Sequence, residues 1–253
     1  MAKISFTVTQ APRGKQGILK PDGQGYYEQV IGALGVENES GIHYTSKQAV
    51  VDLFNNSSTL RRKMDRGVLR GEVGHPKFHP GMSKADFVNR IFQIYEENTC
   101  VHFKEIHLDD SYLKNVGPGV FAIIAKFTPS GAKGDFLDRQ IKNGSENVCF
   151  SIRSIAEDYT SGGKYMRDLA EVITFDYVNE PGIKYAEKYK SPALESITRG
   201  GDILVSQDDF IRAMKEAVVA GIATESGIDM SLDRMFKQFG WTKPTNRPAF
   251  FGI

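Results

Sequence analysis

Three side chains of the types that acyl transfer requires lie in separate parts of the sequence. His75 stands in GEVGHPKFHP (71–80), Ser151 in NVCFSIRS (147–154) and Asp176 in EVITFDYV (171–178). A serine hydroxyl becomes a nucleophile when a histidine takes its proton and an acid holds that histidine in the correct tautomer. The spacing alone does not bring the three together, so the segments that carry them must do so.

The segment around His75 is conformationally restricted. Pro76 and Pro80 lack an N–H, and each drives the residue before it toward extended backbone. His75 and His79 therefore do not share a regular helix. We expect His75 to be held on a stiff corner, and His79 to be a solvated neighbour or part of a substrate-facing loop.

The other two side chains lie in predicted strands whose alternation separates two faces. In the first strand, one face carries Val148, Phe150 and Ile152, and the other carries Cys149, Ser151 and Arg153. In the second, one face carries Ile173, Phe175 and Tyr177, and the other carries Val172, Thr174 and Asp176. This predicts a serine available to solvent or substrate beside a guanidinium. Taken singly, the serine could be an ordinary strand residue and the aspartate a cap for the turn NEPG.

Other chemistries fit the sequence less well. A metal site could use His75, His79, His102 and His107, but His102 and His107 are five apart and face opposite ways in a regular strand. Cys149 is a rival nucleophile, although buried structural cysteine is the commoner state. The loop TSGGK lacks the glycine spacing of a P-loop and is interpreted as a flexible surface turn.

The predicted elements that must position these residues alternate between helices and strands. The first 45 residues are interpreted as an edge strand at 3–9 followed by a long surface loop. A helix is predicted over 46–66, and a second over 83–98 with Ser83 as its N-cap. The other predictions are an antiparallel hairpin of strands 101–108 and 119–127, a helix over 131–142, and helices over 208–226 and 231–240.

Composition indicates a globular protein without a charged surface field. The 253 residues are 40% hydrophobic with a formal net charge of +1, which does not favour binding to nucleic acid or to a membrane. No stretch approaches the roughly 18 apolar residues of a membrane span, and the N-terminus does not resemble a signal peptide. We therefore expect a cytoplasmic protein whose two cysteines are reduced.

Three motifs in order resemble those of the tailed-phage prohead core proteases. GEVGHP resembles their G-E-L-x-H-P motif, VCFSIRS their V-S-x-R-G/S nucleophile strand, and VITFDYVNEP their V-D-x-V-x-x-P strand. The resemblance covers roughly 48–182. The family is related to herpesvirus capsid maturation proteases, which implies an α+β fold with a mostly antiparallel β-barrel core flanked by helices. The implied regions are an N-terminal strand and loop region (1–45), a protease core (46–190), and a helical C-terminal region and tail (191–253).

The resemblance also implies roles for individual residues. His75 would be the general base, Ser151 the nucleophile and Asp176 the orienting acid, where the wider group often has a second histidine. Arg153, Arg199 and Glu72 are candidates for oxyanion stabilisation or substrate binding, and Glu72 is also a rival third member. No cofactor is implied.

The implied substrates are the scaffold or core proteins and the major capsid protein of an immature phage head. Cleavage would follow glutamate in a short small-or-apolar–x–Glu motif, inside the prohead in the host cytoplasm. The enzyme would be made as a zymogen and process itself, with cleavage expected first after Glu195 or Glu225, and it could form a homodimer. The alternative is a non-enzymatic capsid scaffold or binding protein that retains the fold.

Overall fold

The computed structural model describes residues 19–55, 58–113 and 116–180, the backbone of 2–9, 11–12 and 203–205, and residues 208, 209, 211–213 and 216. None of the helices formed by these residues has the length and apolar character needed to span a membrane.

One sheet has six strands in the order β11, β1, β9, β10, β5 and β4. Its strands are β1 (Ala2–Thr9), β4 (Val36–Glu37), β5 (Ile42–Tyr44), β9 (Cys149–Ser161), β10 (Lys164–Val178) and β11 (Ile203–Val205). All neighbours in this sheet are antiparallel except β5 and β10. The strands β9 and β10 are its longest, and they form one hairpin that turns at Gly162 and Gly163. Both glycines have positive φ, as a tight two-residue hairpin turn requires.

The second sheet has five strands in the order β2, β3, β8, β7 and β6, and all its neighbours are antiparallel. Its strands are β2 (Ala11–Pro12), β3 (Tyr27–Leu34), β6 (Arg70–Glu72), β7 (Thr99–Asp109) and β8 (Phe121–Pro129). The pairing of β7 with β8 confirms the predicted hairpin.

The main hydrophobic core lies between the two sheets. Phe103 and Phe127 of the second sheet meet Phe150 of β9 edge to face, with ring centroids 5.6 and 5.0 Å apart, and Phe103 also contacts Phe175 of β10. All four rings are wholly buried. Burial of aromatic side chains on this scale dominates the stability of a core. The predicted apolar face of β9 and the end of β10 at Phe175 and Tyr177 therefore point into the core, whereas a register shift between Val172 and Thr174 puts Val172, predicted on the Asp176 face, into the core as well.

Within residues 19–180, as far as they are described, the sheets are flanked by the helices α1 (Gln48–Val51), α2 (Thr59–Asp65), α3 (Lys84–Phe92) and α4 (Gly134–Lys142). The helix predicted over 46–66 is therefore divided, because Asp52–Phe54 form a 3-10 turn and Ser58 caps a new helix by accepting from the N–H of Arg61. The helix predicted over 131–142 is confirmed as α4.

The helix predicted over 83–98 begins as expected but ends early. Ser83 and Asp86 form the predicted capping box. The helix stops at Phe92, and Gln93 has extended backbone, with its carbonyl accepting from Arg90 and Arg153. Contacts with the rest of the protein thus override the apolar spacing that continues to Tyr95.

Two further predictions differ from the structure. The long loop expected before residue 45 contains β3. Nearly all side chains of β3 are buried, so its sequence lacks the alternation of polar and apolar residues by which a strand is predicted. The α+β class, with mostly antiparallel strands and flanking helices, is confirmed. The expected barrel is not: the described strands form two separate sheets, and although β6 packs closely on β10, the backbone ladder between them is limited to an isolated bridge between Val73, just after β6, and Tyr177.

The C-terminal region is described only in part. The described positions within 208–216 are helical, in agreement with the helix predicted over 208–226. The helix predicted over 231–240 lies outside the described residues.

Candidate functional site

The β9–β10 hairpin places Ser151 and Asp176 side by side. The two residues are direct partners in the antiparallel register, so their side chains leave the same face of the sheet. Arg153 lies two residues along β9 on that face. The hairpin register alone therefore brings together the serine, the acid and the guanidinium.

A close approach of β6 to β10 delivers His75 to this face. Gly71 packs so tightly against β10 that a Cβ atom there would lie 2.0 Å from the carbonyl oxygen of Phe175. Beyond it, Val73 bridges to Tyr177, and the N–H of Gly74 donates to the Tyr177 carbonyl at 2.7 Å. Gly74 has φ +77°, a conformation that favours glycine. The glycines of the motif thus anchor and turn the chain immediately before His75.

The three side chains meet in a linear hydrogen-bonded arrangement. Nε2 of His75 lies 2.5 Å from Oγ of Ser151, and Nδ1 lies 2.9 Å from Oδ2 of Asp176. With the ring proton on Nδ1, His75 donates to the carboxylate and accepts from the serine hydroxyl. This tautomer is the one that a general base acting on a serine needs.

The Asp176 carboxylate is fully engaged and wholly buried. Its Oδ1 accepts from the Glu72 N–H at 3.0 Å and from Nη2 of Arg153 at 2.6 Å. Its Oδ2 accepts from Nε of Arg153 at 2.8 Å in addition to His75. Burial alone would raise the pKa of Asp176, but the charge of Arg153 and the hydrogen bonds from His75 and Arg153 hold it below its ordinary value. The acid is therefore ionised and fixed in orientation.

Arg153 lies behind the acid rather than beside the serine hydroxyl. Its Nε and Nη2 donate to Asp176, and its Nη1 donates to the Gln93 carbonyl at 2.9 Å. The guanidinium is wholly buried, and the surrounding carboxylates keep its pKa raised despite the opposing effect of burial. This position favours a role in orienting Asp176 over a role as an oxyanion donor.

Glu72 contacts the acid through its backbone and a different set of residues through its side chain. Its carboxylate accepts from Arg90 at 2.5 and 3.1 Å and from the Tyr95 N–H at 2.6 Å, and it lies 3.4 Å from Arg153. Nδ1 of His75 meets Asp176 instead. The structure therefore places Asp176, and not Glu72, in the third position of the hydrogen-bonded series.

Ser151 is wholly buried, in contrast to the prediction that it would be available to solvent. The second sheet packs against the opposite face of β9, and His75 contacts Ser151 on its own face. His75 itself is partly exposed and lines a cleft of about 300 Å³. The other cleft residues include Lys77, His79, Met82, Arg90 and Tyr95. His79 is exposed, which agrees with both alternatives predicted for it, a solvated neighbour or part of a substrate-facing loop.

The rival chemistries have less support in the described part of the chain. Among these residues no group of three or more histidine, cysteine or acidic side chains could hold a metal ion. His102 packs against the ring of Tyr26, and His107 lies near Glu105. Cys149 is buried with its thiol directed at the Asn179 carbonyl, 3.8 Å away. Arg199, Glu195 and Glu225 lie outside the described residues.

Sequence reasoning missed Arg90 and Gln93. Arg90 sits on α3 between buried positions, and its spacing carries no sign that it reaches the carboxylate of Glu72 eighteen residues earlier. Gln93 acts through its backbone carbonyl, a group present in every residue. The pairing of an arginine with the motif glutamate could be found only from the fold.

Comparison with known proteins gives three similarities. The sequence model of the Peptidase S80 family matches residues 6–235. The capsid maturation protease of Pseudomonas phage phiKZ is 38% identical over 191 residues, which cover 74% of this chain and 69% of the phage protein. The structure of the bacteriophage T4 capsid assembly protease aligns with a TM-score of 0.46 and 14% identity, over 71% of this chain and 99% of that chain. The family match includes His75, Ser151 and Asp176.

Proposed function

Because the chain belongs to the Peptidase S80 family, we propose that it is a phage head maturation protease that works as a serine endopeptidase. Ser151 is the nucleophile, His75 the general base and Asp176 the orienting acid. The observation that carries this proposal is the position of the His75 ring, which contacts Ser151 through one nitrogen and Asp176 through the other.

The chemistry follows from that arrangement. Nε2 of His75 takes the hydroxyl proton as Oγ of Ser151 bonds to the carbonyl carbon of the scissile peptide. The resulting imidazolium is stabilised by Asp176 and then gives its proton to the departing amine, which leaves an acyl ester on Ser151. Water, deprotonated by the same histidine, releases the acid product and restores the serine.

The relatives and the motifs support a substrate class. The phiKZ relative is a capsid maturation protease, and we propose that this chain cleaves the scaffold or core proteins and the major capsid protein of its phage. Cleavage follows glutamate in a small-or-apolar–x–Glu motif, inside the prohead in the host cell. A homodimer, and the absence of nucleic-acid and membrane partners, remain part of the same proposal, as do the region boundaries near residues 45 and 190.

Burial of Ser151 supports synthesis as a latent form. A peptide substrate, unlike a small reagent that enters through brief openings of the cleft, can reach Oγ only after the groups that cover it move. Self-cleavage after Glu195 or Glu225 is the proposed activation step. Intact-mass spectrometry of the purified wild-type chain should show loss of the C-terminal segment at one of these positions, and the Ser151→Ala chain should keep its full mass. A wild-type chain that stays intact at both positions would exclude these cleavage sites.

Co-expression tests the catalytic assignment. The chain is expressed with the major capsid or scaffold protein of its phage, and processing is followed by gel and mass spectrometry. Ser151→Ala and His75→Ala should each abolish processing, whereas Cys149→Ala should retain it because its thiol is directed away from His75. A non-enzymatic scaffold protein would show no processing in any variant, and loss of processing in Cys149→Ala alone would identify the thiol as the nucleophile.

A further inference from the structure

A network of alternating charges extends from the acid of the site to the wall of the cleft. It begins at Asp176, continues through Arg153 and Glu72, and ends at Arg90 on α3. Asp176, Arg153 and Glu72 are buried almost completely, and Arg90 is 12% exposed. Burying a charge is costly unless it is paired, so each member depends on its neighbours.

Within this network Glu72 contacts both the catalytic acid and the residues of the cleft wall. Its backbone N–H donates to Asp176, and its carboxylate lies 3.4 Å from the guanidinium that orients Asp176. The same carboxylate holds Arg90 through two hydrogen bonds and the backbone of Tyr95 through a third. Arg90 in turn stacks on the Tyr95 ring, 3.7 Å from its centroid. Arg90 and Tyr95 both line the cleft beside His75.

The two negative and two positive side chains of this network also balance in charge. Arg153 is the positive partner of Asp176, and it would offset much of the negative charge with which Asp176 stabilises a protonated His75. Glu72 supplies a second negative charge to Arg153, and Arg90 supplies a second positive charge to Glu72. Removing one member therefore changes the charge that His75 experiences, in a direction set by the member removed.

We propose that Glu72 is a positioning residue that couples the cleft wall to the catalytic acid, with Arg90 as its counter-ion. This inference rests on the proposed serine mechanism. Glu72 touches neither the nucleophile nor the ring of His75 through its side chain. It acts by holding Arg153 against Asp176 on one side, and by holding the end of α3 and Tyr95 on the other.

The test compares Glu72→Gln with Arg90→Gln, two changes of similar size and opposite charge. The readout is the rate at which diisopropyl fluorophosphate labels Ser151 in the full chain, measured by mass spectrometry from pH 5 to 9 at a temperature where every variant is folded. In the described part of the chain, the charged or titratable groups that line the cleft beside His75 or hold Asp176 include Glu72, Lys77, His79, Arg90 and Arg153.

Glu72→Gln leaves excess positive charge, which disfavours a protonated His75. The acidic limb of the rate profile should therefore move to lower pH by about half a unit or more, and the plateau should fall about tenfold or more as the base weakens. Arg90→Gln leaves excess negative charge, so its acidic limb should move to higher pH. The double variant restores the balance, and its limb should return toward that of the wild type.

A matched control comes from the same hairpin. Arg167 and Asp158 form another bidentate pair across β9 and β10, with distances of 2.7 and 2.7 Å, near the turn. Asp158→Asn should lower the melting temperature without moving the rate profile. If the acidic limbs of the rate profiles coincide for the wild type, Glu72→Gln and Arg90→Gln, Glu72 is not a positioning residue. That result would not affect the proposed serine mechanism. If Glu72→Gln does not fold, the direction of the Arg90→Gln shift decides the question.

The proposed function fails by a different result. If diisopropyl fluorophosphate labels the Ser151→Ala chain as it labels the wild type, Ser151 is not the nucleophile. That outcome does not depend on Glu72, so the two failures are distinguishable.

Discussion

Replacing Asp176 with asparagine tests the site because it keeps the shape of the side chain and removes its charge. The carboxylate accepts four hydrogen bonds, from the Glu72 N–H, from His75 and twice from Arg153. An asparagine oxygen in the Oδ1 position can keep two of them. The amide nitrogen in the Oδ2 position then faces Nε–H of Arg153, a donor, and can only donate to Nδ1 of His75.

The expected effects follow from these lost bonds. The Arg153 Nε–H loses its acceptor, and the buried guanidinium loses the charge it pairs with, so the free energy of unfolding should fall by about 3–5 kcal/mol, as for other broken buried ion pairs. A donated bond to Nδ1 places the ring proton on Nε2, where His75 cannot accept from Ser151. A wrong tautomer lowers kcat of a serine protease by about 10⁴, equivalent to about 5.5 kcal/mol of transition-state stabilisation.

The assay measures processing of the capsid or scaffold protein at pH 8, at a temperature where circular dichroism shows the variant to be folded. The control is Asp158→Asn, which likewise removes the charge and one hydrogen bond from a bidentate pair with an arginine in the same hairpin. It should lose comparable stability and keep its rate per folded molecule. A rate for Asp176→Asn within tenfold of the wild type would refute the reasoning, because His75 would then be oriented by another group.

Three further predictions concern stability and backbone geometry. The folded-state pKa of Asp176 lies below its ordinary value of 3.8, so its charge stabilises the fold above that value; the stability advantage over Asp176→Asn in urea unfolding should shrink as pH falls through and below 3.8. Gly71→Ala places a Cβ 2.0 Å from the Phe175 carbonyl oxygen, so it should cost about 3 kcal/mol in urea unfolding and abolish processing; near-wild-type values would contradict the close approach. A Cβ at Gly74 or Gly41 would meet no atom within 4 Å, but these residues have φ of +77° and +75°, so Gly74→Ala and Gly41→Ala should each lower the free energy of unfolding by about 1–2 kcal/mol. Only Gly74→Ala should also reduce the processing rate. Equal rates for the two variants would show that the turn at Gly74 does not position His75.

The alternation of side chains along a strand allowed one part of the site to be predicted: the side of the sheet to which each residue points. Phe150 and Ser151 point to opposite sides of β9 as predicted, and Phe175 and Asp176 do the same on β10. The sequence did not show that the two strands form one long hairpin, because its middle contains charged and polar residues that resemble a loop. Nor did it show that β6 would approach β10, since that contact depends on the absence of a side chain at Gly71.

The environment of the site was the least predictable part. Solvent access was expected for Ser151 because its strand face carries polar residues, yet those residues are polar in order to satisfy one another in a buried network. Arg153 was one of three candidates for oxyanion stabilisation or substrate binding, and its contact with Asp176 was not predicted. Such roles depend on contacts between residues distant in sequence, which local periodicity does not record.

The pairing of Ser151 with Asp176 has a consequence for how this family can vary in evolution. The hairpin continues well past the site to its turn, so equal numbers of residues can be inserted or deleted on both sides of the turn without separating the pair. Two register shifts in β10, between Leu169 and Glu171 and between Val172 and Thr174, each add one unmatched residue. If a bulge were straightened with its extra residue kept, Asp176 would move one position along β9 and turn to the opposite face of the sheet. Hairpin length can therefore vary, provided that the number of extra residues in β10 between the turn and the acid equals the number of bulges.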